Sequence, residues 1–375
     1  MPNKRRFFAA LLTALSLVST PAFAEIDLTP YELPSEYGSS VQVISPALTL
    51  VLTDKSHGRN NENTLPTSIT LYDEGKIGLQ IELPDYAADG TRQLYDLFAA
   101  SPTRYGLITS VPSSEGERPI RFQLLLVNGL TDGLVLNSQR GNYAFSADSI
   151  CNRRNEGNAH FIDRYYWESG QISSVFVEAD IIWPYTYAFS DDGCLSFIAD
   201  CDDGLHFRRY SPDGSLLTDL HAPVPDVLVI PKGYFAADGS MLGQYSIGEP
   251  YSSSALLRTD ETDALLWSKT LSAPQTIVTV TEAQFLSNRE TVLIGTAIAK
   301  SRKLFTLFKL HVDARGNITA CDIRDFTTRA AELFTAKTDT LGNLYAVTED
   351  TQAHPIAVVP FEDLPICDDP GLALE

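Results

Sequence analysis

Short apolar runs alternate with polar residues along most of this chain, and each run stops at a tight-turn dipeptide. From Tyr187 to Ala222, YAFSDDGCLSFIADCDDGLHFRRYSPDGSLLTDLHA, four such runs are separated by Asp192-Gly193, Asp203-Gly204 and Asp213-Gly214. Glycine after aspartate supplies the positive-φ position that a tight hairpin requires, and CLSFIAD and LHFRRYS between the turns carry partly alternating apolar and polar residues. The stretch predicts four short antiparallel strands, the size of one propeller blade.

Related units fill the rest. Tyr143-Ala144-Phe145-Ser146 recurs as Tyr187-Ala188-Phe189-Ser190, each followed by an Asp and then by Cys151 or Cys194. The last turn of each unit falls at Gly75, Gly133, Gly170, Gly214, Ala264 and Gly316. Their intervals scatter around the ~40–50 residues of a four-stranded blade, with loop insertions absorbing the spread. The fold expected is all-β, a seven-bladed β-propeller of four-stranded antiparallel blades over residues 41–364, with six or eight blades left open. The seventh unit, ELFTAKTDTLG, NLYAVTED and IAVVPFED, is short of an outer strand. Residues 25–40 can supply one through Ile26 to Leu33, closing the ring and removing unpaired edges; 365–375 form a tail.

The first 24 residues read as a secretory signal peptide. Lys4, Arg5 and Arg6 precede the apolar run Phe7 to Val18, and Ala22-Phe23-Ala24 precedes Glu25, with cleavage expected between Ala24 and Glu25. The run is too short and too interrupted for a membrane span. The chain is therefore expected to be exported, to the periplasm or the medium, as a monomer with no membrane insertion. Losing three basic residues takes the formal net charge from −20 to −23. That field repels phosphate backbones and excludes nucleic acid as the natural partner. Of the five cysteines, Cys194 and Cys201 sit at opposite ends of one strand, too far apart to bridge. Cys321 with Cys367 is the disulfide expected, stapling the tail to the last repeats; five buried thiols are the alternative.

ALLRTDETDALLWSKTL (Ala255–Leu271) and TVLIGTAIAKSRKLFTLFKLHVDARGN (Thr291–Asn317) resemble the repeats of quinoprotein-like and WD40-like bacterial β-propellers, and the fourth unit resembles NHL-type blades. In quinoprotein repeats an Asp, a Thr-Gly turn and a Trp recur in many blades. Here Asp260, Thr262 and Trp267 match once, with Ala264 near the glycine, and the other units lack the Trp. No quinone or other cofactor is expected.

Propeller turns alternate between two faces, and the longer segments fall on the face of the middle turns: 54–66, 112–119, 152–157, 201–204, 248–253, 300–303 and 350–355. Function tends to sit on such loops. They collect the candidate ligand-binding residues His57, Arg59, Arg153, Arg154, Asp202, Asp203, Tyr251 and His354. Trp183 and Tyr185 join them from the connection entering the fourth unit, as rings able to stack on a sugar or another flat ligand. The six histidines show no metal-ligand spacing, and no nucleophile elbow, phosphate loop or dinucleotide fingerprint is present. These readings favour a non-enzymatic propeller binding a protein, peptide or glycan on its loop-rich face. The alternative is an exported enzyme, a hydrolase, lyase or quinoprotein-like oxidoreductase, with its site at the mouth of the central channel.

Overall fold

The computed structural model describes residues 31–33, 39–53, 67–86, 95–110, 120–126, 129–131, 133–136, 143–146, 148–156, 159–177, 181–201, 204–222, 232–247, 252–299, 305–325, 333–349 and 356–375. They form seven antiparallel sheets arranged as a β-propeller. Strand β1 (Tyr31–Leu33) precedes the first blade, which is β2 (Ser39–Val43), β3 (Leu48–Thr53), β4 (Ser68–Asp73) and β5 (Lys76–Glu82). The second blade holds β6 (Tyr95–Ser101), β7 (Arg104–Ser110), β8 (Ile120–Leu126), β9 (Gly129–Leu130) and β10 (Leu134–Leu136). In the third are β11 (Tyr143–Phe145), β12 (Ser149–Glu156), β13 (Ala159–Tyr166) and β14 (Ile172–Val177), and in the fourth β15 (Ile181–Phe189), β16 (Leu195–Cys201), β17 (Gly204–Tyr210) and β18 (Leu216–Ala222). The fifth comprises β19 (Lys232–Phe235), β20 (Met241–Ile247), β21 (Ser253–Thr259) and β22 (Leu265–Ser272), and the sixth β23 (Thr276–Phe285), β24 (Thr291–Ala299), β25 (Phe305–Val312) and β26 (Ile318–Asp325). The seventh is β27 (Leu333–Thr338), β28 (Leu344–Glu349) and β29 (Ile356–Pro360), and β30 (Ala373–Leu374) pairs with β22 as a fifth strand of the fifth blade.

The ring closes through β1. Tyr31 pairs with Val358 and Leu33 with Ile356, so the first strand among the described residues is the outer strand of the seventh blade. The first strands of successive blades touch one another from β27 through β2, β6, β11 and β15 to β19.

Each sheet hides its two faces between its neighbours. Val41, Val43 and Tyr72 of the first blade pack on Tyr345, Val347 and Val358 of the seventh. Leu195, Phe197 and Ala199 of the fourth pack on Cys151, Ile162 and Val175 of the third. Seams differ in how closely the sheets approach. Between the fourth and fifth blades the Phe207 ring fills the space beside Gly243, where a Cβ would stand 1.8 Å from a ring carbon, so a strand-interior glycine is required there.

One turn recurs at 190–194, 211–215, 236–240, 260–264, 286–290, 313–317 and 339–343. In each, the first N–H bonds to the fifth carbonyl and the fourth N–H to the first carbonyl. The fourth position has positive φ, filled by glycine at five of these sites but by Asp263 (65°) and Arg289 (66°) at two. A carboxylate locks most copies. Asp192 Oδ1 accepts from Ser190 Oγ (2.6 Å) and Cys194 N (3.1 Å), and Asp339 Oδ1 from the N–H groups of Leu341 and Asn343 (both 2.9 Å).

Arginines on the third strands then tie turns together. Arg164, Arg209 and Arg258 occupy equivalent register positions, opposite Cys151, Ser196 and Leu242. Arg164 reaches Asp148 in its own first turn (3.2 Å). Arg209 bridges Asp192 (2.9 Å) to Asp263 of the next blade (3.1 Å). Arg258, 1% exposed, instead donates to Thr291 Oγ1 (2.9 Å) over the Phe285 ring, and burial pulls its pKa down to about 10.

Three expectations are corrected. Asn152–Gly157 is not a loop: residues 152–156 continue β12, because β13 pairs with it through Glu156 and Ala159. The Trp183–Tyr185 segment is not a connection but part of β15, which bulges between Ile181 and Trp183 and between Pro184 and Thr186, the irregularity that lets an inner strand carry a proline. Cys321 and Cys367 are free thiols. The tail does run along β26, but main-chain pairing sets Cys367 beside Ile323 (N to O, 3.2 Å) instead of Cys321. Strand β6 was not foreseen, since YDLFAAS alternates poorly and its turn at Pro102-Thr103 lacks a glycine. Among the described residues no helix is long and apolar enough to cross a membrane.

Two predictions follow from the turn carboxylates. The Ser190 hydroxyl holds the Asp192 carboxyl below its ordinary range, Ser211 does so for Asp213, and the Asn317 N–H for Asp313. At Asp260 burial acts upward, but hydrogen bonds from Thr262 and Ala264 and the Arg289 charge outweigh it. Folded values below the unfolded ~3.9 mean that this stabilisation is present above that pH and lost as pH falls through the folded values. Urea midpoints are expected to be flat with respect to these groups above about pH 5 and to fall below about pH 4. Asp339→Ala, which strips acceptors from Leu341, Asn343 and Tyr345 in a buried turn, is expected to cost about 2–3 kcal/mol by urea titration.

Candidate functional site

The seam between the third and fourth blades is apolar near the inner strands and polar toward the outer ones. Alternation along paired strands puts Cys151, Arg153, His160, Ile162 and Arg164 on the wall facing the fourth blade. The same rule puts His206, Arg208 and Tyr210 of β17, with Asp219 and His221 of β18, on the wall facing the third. Tyr187 joins the walls: its ring is buried among the Cys151 and Ile162 side chains, and the Arg153 backbone bonds to it. Burial pushes its phenol well above the ordinary value.

On the fourth-blade wall His206 Nδ1 lies 2.6 Å from Asp219 Oδ1, a distance at which the imidazole donates to the carboxylate. Arg208 Nε donates to the other oxygen (3.1 Å). Cross-strand pairing of His206 with His221 brings their rings to 5.0 Å between centroids. One carboxylate thus orients an imidazole and a guanidinium, with a second imidazole alongside. His206 and Arg208 are buried, while His221 is exposed.

On the third-blade wall Arg153 is buried, with Nη2 3.3 Å from His160 Nδ1, and burial lowers its pKa. Arg154 points to the opposite face. It pairs with the buried Asp163 (2.7 Å), which also accepts from Ser174 Oγ (2.6 Å), and stacks over Phe161. Of the sequence candidates, then, Arg153 faces the seam and Arg154 does not. Trp183 and Tyr185 lie on β15, where only their backbone is described. His57, Arg59, Asp202, Asp203, Tyr251 and His354 fall outside the described residues. The seam residues missed from sequence had a readable signature: His206-x-Arg208 and Asp219-x-His221 flank the 211–215 turn, and that hairpin's register must pair them.

The inner strands carry a second group. Tyr234 Oη lies 2.9 Å from Val280 O and 3.0 Å from Gln244 Oε1, and burial with the Glu282 charge pushes its pKa up. Glu282 follows a bulge in β23, and burial raises its carboxyl against the pull of the Ala283 N–H and Lys232. Among the described residues no group of three or more His, Cys, Asp or Glu could hold a metal ion.

No family model matches the sequence, and no curated protein matches it significantly. Solved structures similar in fold include a Lactobacillus plantarum protein, 13% identical, covering 76% of this chain and 83% of that one at a TM-score of 0.41. The intramolecular trans-sialidase of Ruminococcus gnavus is 10% identical, with 88% and 95% covered and a TM-score of 0.42. The NanB sialidase of Streptococcus pneumoniae is 9% identical, with 87% and 68% covered and a TM-score of 0.41. Likeness at this level concerns architecture and carries no activity to this chain.

Asp219→Ala should leave His206 and Arg208 without their shared acceptor. The expected cost is about 1–3 kcal/mol in urea unfolding, and an unchanged midpoint would mean that the cluster is not held as described.

Proposed function

We propose that this protein is an exported, non-enzymatic propeller that binds a peptide or glycan on its middle-turn face, and that the seam of the third and fourth blades takes a carboxylate of that ligand. The observation carrying this reading is that Arg153 and His160 on one wall oppose His206, Arg208 and His221 on the other, in a chain of net charge −20. A carboxylate is an acceptor-only group that guanidinium and imidazolium donors suit, and partial burial strengthens each bond. The leader-like residues 1–24 support export. The acidic surroundings favour a ligand that presents its charge locally over a polyanion.

The test is a glycan and peptide array probed with the exported form and with His206→Gln/His221→Gln. Carboxylate-bearing ligands should dominate the signal, and the double variant should bind at least ~10-fold more weakly, or about 1.4 kcal/mol, with an unchanged circular dichroism spectrum. Equal binding by both forms, or no preference for carboxylates, would overturn the reading.

A second reading, an exported enzyme acting at the channel, is favoured by Glu282, whose raised carboxyl beside Lys232 and Tyr234 suits a general acid. A carboxyl raised by folding stabilises below its unfolded pKa and ceases to do so as pH rises through the folded one. Glu282→Gln should therefore be at least as stable as the parent at pH 8. Any hydrolase or lyase turnover found in substrate screening should disappear with it.

A further inference from the structure

After a 3-10 turn at Phe361–Asp363, the chain leaves the seventh blade and runs outward across the sixth to the fifth. Asp325 N bonds to Pro365 O (2.7 Å), Arg324 pairs with Ile366, and Cys367 N bonds to Ile323 O (3.2 Å), so this stretch adds to the free edge of β26. A turn capped by Asp369 Oδ1 on the N–H groups of Gly371 and Leu372 (both 2.8 Å) redirects it. Leu372 is then buried among Trp267, Leu271 and Ile323, and β30 pairs Leu374 with Leu271. Thr270 and Glu375 exchange both main-chain bonds (2.7 and 3.0 Å). Residues 365–375 are thus seated as an extended peptide on the edges of two sheets, with apolar side chains two apart filling the seam between them.

Side-chain donors hold both ends, whereas the stretch between them is held mainly by main-chain bonds. Arg324 Nη1 donates to the carbonyls of Glu362 and Leu364 (both 3.1 Å), holding the root, and Lys269 Nζ reaches Leu374 O (3.4 Å) at the far end. Between them Ile366 is 77% exposed. Acids meet acids there: besides burial, Asp369 and Asp322 push the Cys321 thiol up to about 11, and Asp325 and Asp368 push up Cys367. Negative charge on the segment therefore lies close to negative charge on and beside β26. Arg324, the nearby cation, already pairs with Asp322 (2.8 Å).

We propose that residues 365–375 are a displaceable strap over a peptide-docking groove on the outer edges of the fifth and sixth blades, and that the same segment of a second copy is its exchange partner. Strand addition to a free edge supplies main-chain bonds without regard to which molecule the strand comes from, and alternate side chains select the sequence. An identical segment from another copy makes the same contacts, which is why exchange of an element between copies costs little. Like-charge opposition along the middle makes opening easier at low ionic strength, and screening closes it.

The test uses a fluorescent peptide of residues 365–375 and the full chain carrying Leu372→Asp and Leu374→Asp, which frees the groove. The released variant should bind the peptide, the unaltered protein at least ~10-fold more weakly because its own strap competes, and a peptide with the same two substitutions should not bind. Binding should strengthen between 0.05 and 0.5 M salt, roughly spanning the loss of charge interactions beyond a Debye length. Absence of peptide binding by a folded released variant would overturn the proposal. Should that variant fail to fold, hydrogen exchange on the unaltered protein decides. The amides of Thr270 and Asp325 should exchange together, at least ~10-fold faster than those of β24; protection equal to β24 would overturn it.

Discussion

Everything in this molecule depends on each small sheet having two apolar faces and no means of covering either alone. A four-stranded sheet can bury such faces only against neighbours, and the ring is the arrangement in which every sheet has two. Leu50 and Ile69 need Leu107 and Leu125, and Val358 needs Val43. Once the faces are so committed, the seams become the interior, and a ring that failed to close would expose two of them at once. Closure by β1 is therefore a packing requirement as much as a hydrogen-bonding one.

Between the seams, the turns set the pitch. Where the five-residue turn leads from the third strand to the outer one, the outer strand starts with a bulge at Leu217, Leu266 and Thr319, opposite Arg209–Tyr210, Arg258–Thr259 and His311–Val312. A bulge increases local twist, which a blade needs to pack radially on the next. Carboxylate locks keep the bulge fixed without a core beneath it. The third-strand arginines add the circumferential part, and they differ in cost. Arg209 has two carboxylates, whereas Arg258 has a hydroxyl, a ring face and a buried Nη1 with no acceptor, and its lowered pKa reflects that difference.

This hierarchy explains what the sequence made legible. The Asp-Gly turns and apolar runs follow from local chemistry, so the all-β class and the seven repeats could be read directly. Strand β6 was lost because Pro102-Thr103 makes a hairpin without the expected glycine. Arg153 and Arg154 looked like loop because NRRNE has no apolar residue, yet pairing with β13 dictates its conformation, and strand propensity yields to pairing. A tail lying on the last repeats was expected, but its path onto the fifth blade could not be read: DDPGLALE has no repeat partner, and Leu374 meets Lys269 more than a hundred residues away in sequence.

The polar seam of the third and fourth blades stands out against that background. In the next two blades the paired positions at the same depth carry no imidazole or guanidinium: the equivalent of His206 in the fifth is Ala255, opposite Tyr245, and in the sixth it is Phe308, opposite Gly295. A fold that needed only cohesion would gain more from leucine than from an imidazole whose burial demands an acceptor, because a buried polar group stabilises little even when satisfied and costs much when it is not. Here the demand is met by Asp219 on the neighbouring strand, which fixes the orientation of His206 and Arg208 together. An imidazole and a guanidinium held by one carboxylate thus face a wall that carries Arg153 and His160. Cohesion alone does not call for that concentration of basic side chains, and the proposed carboxylate ligand rests on it.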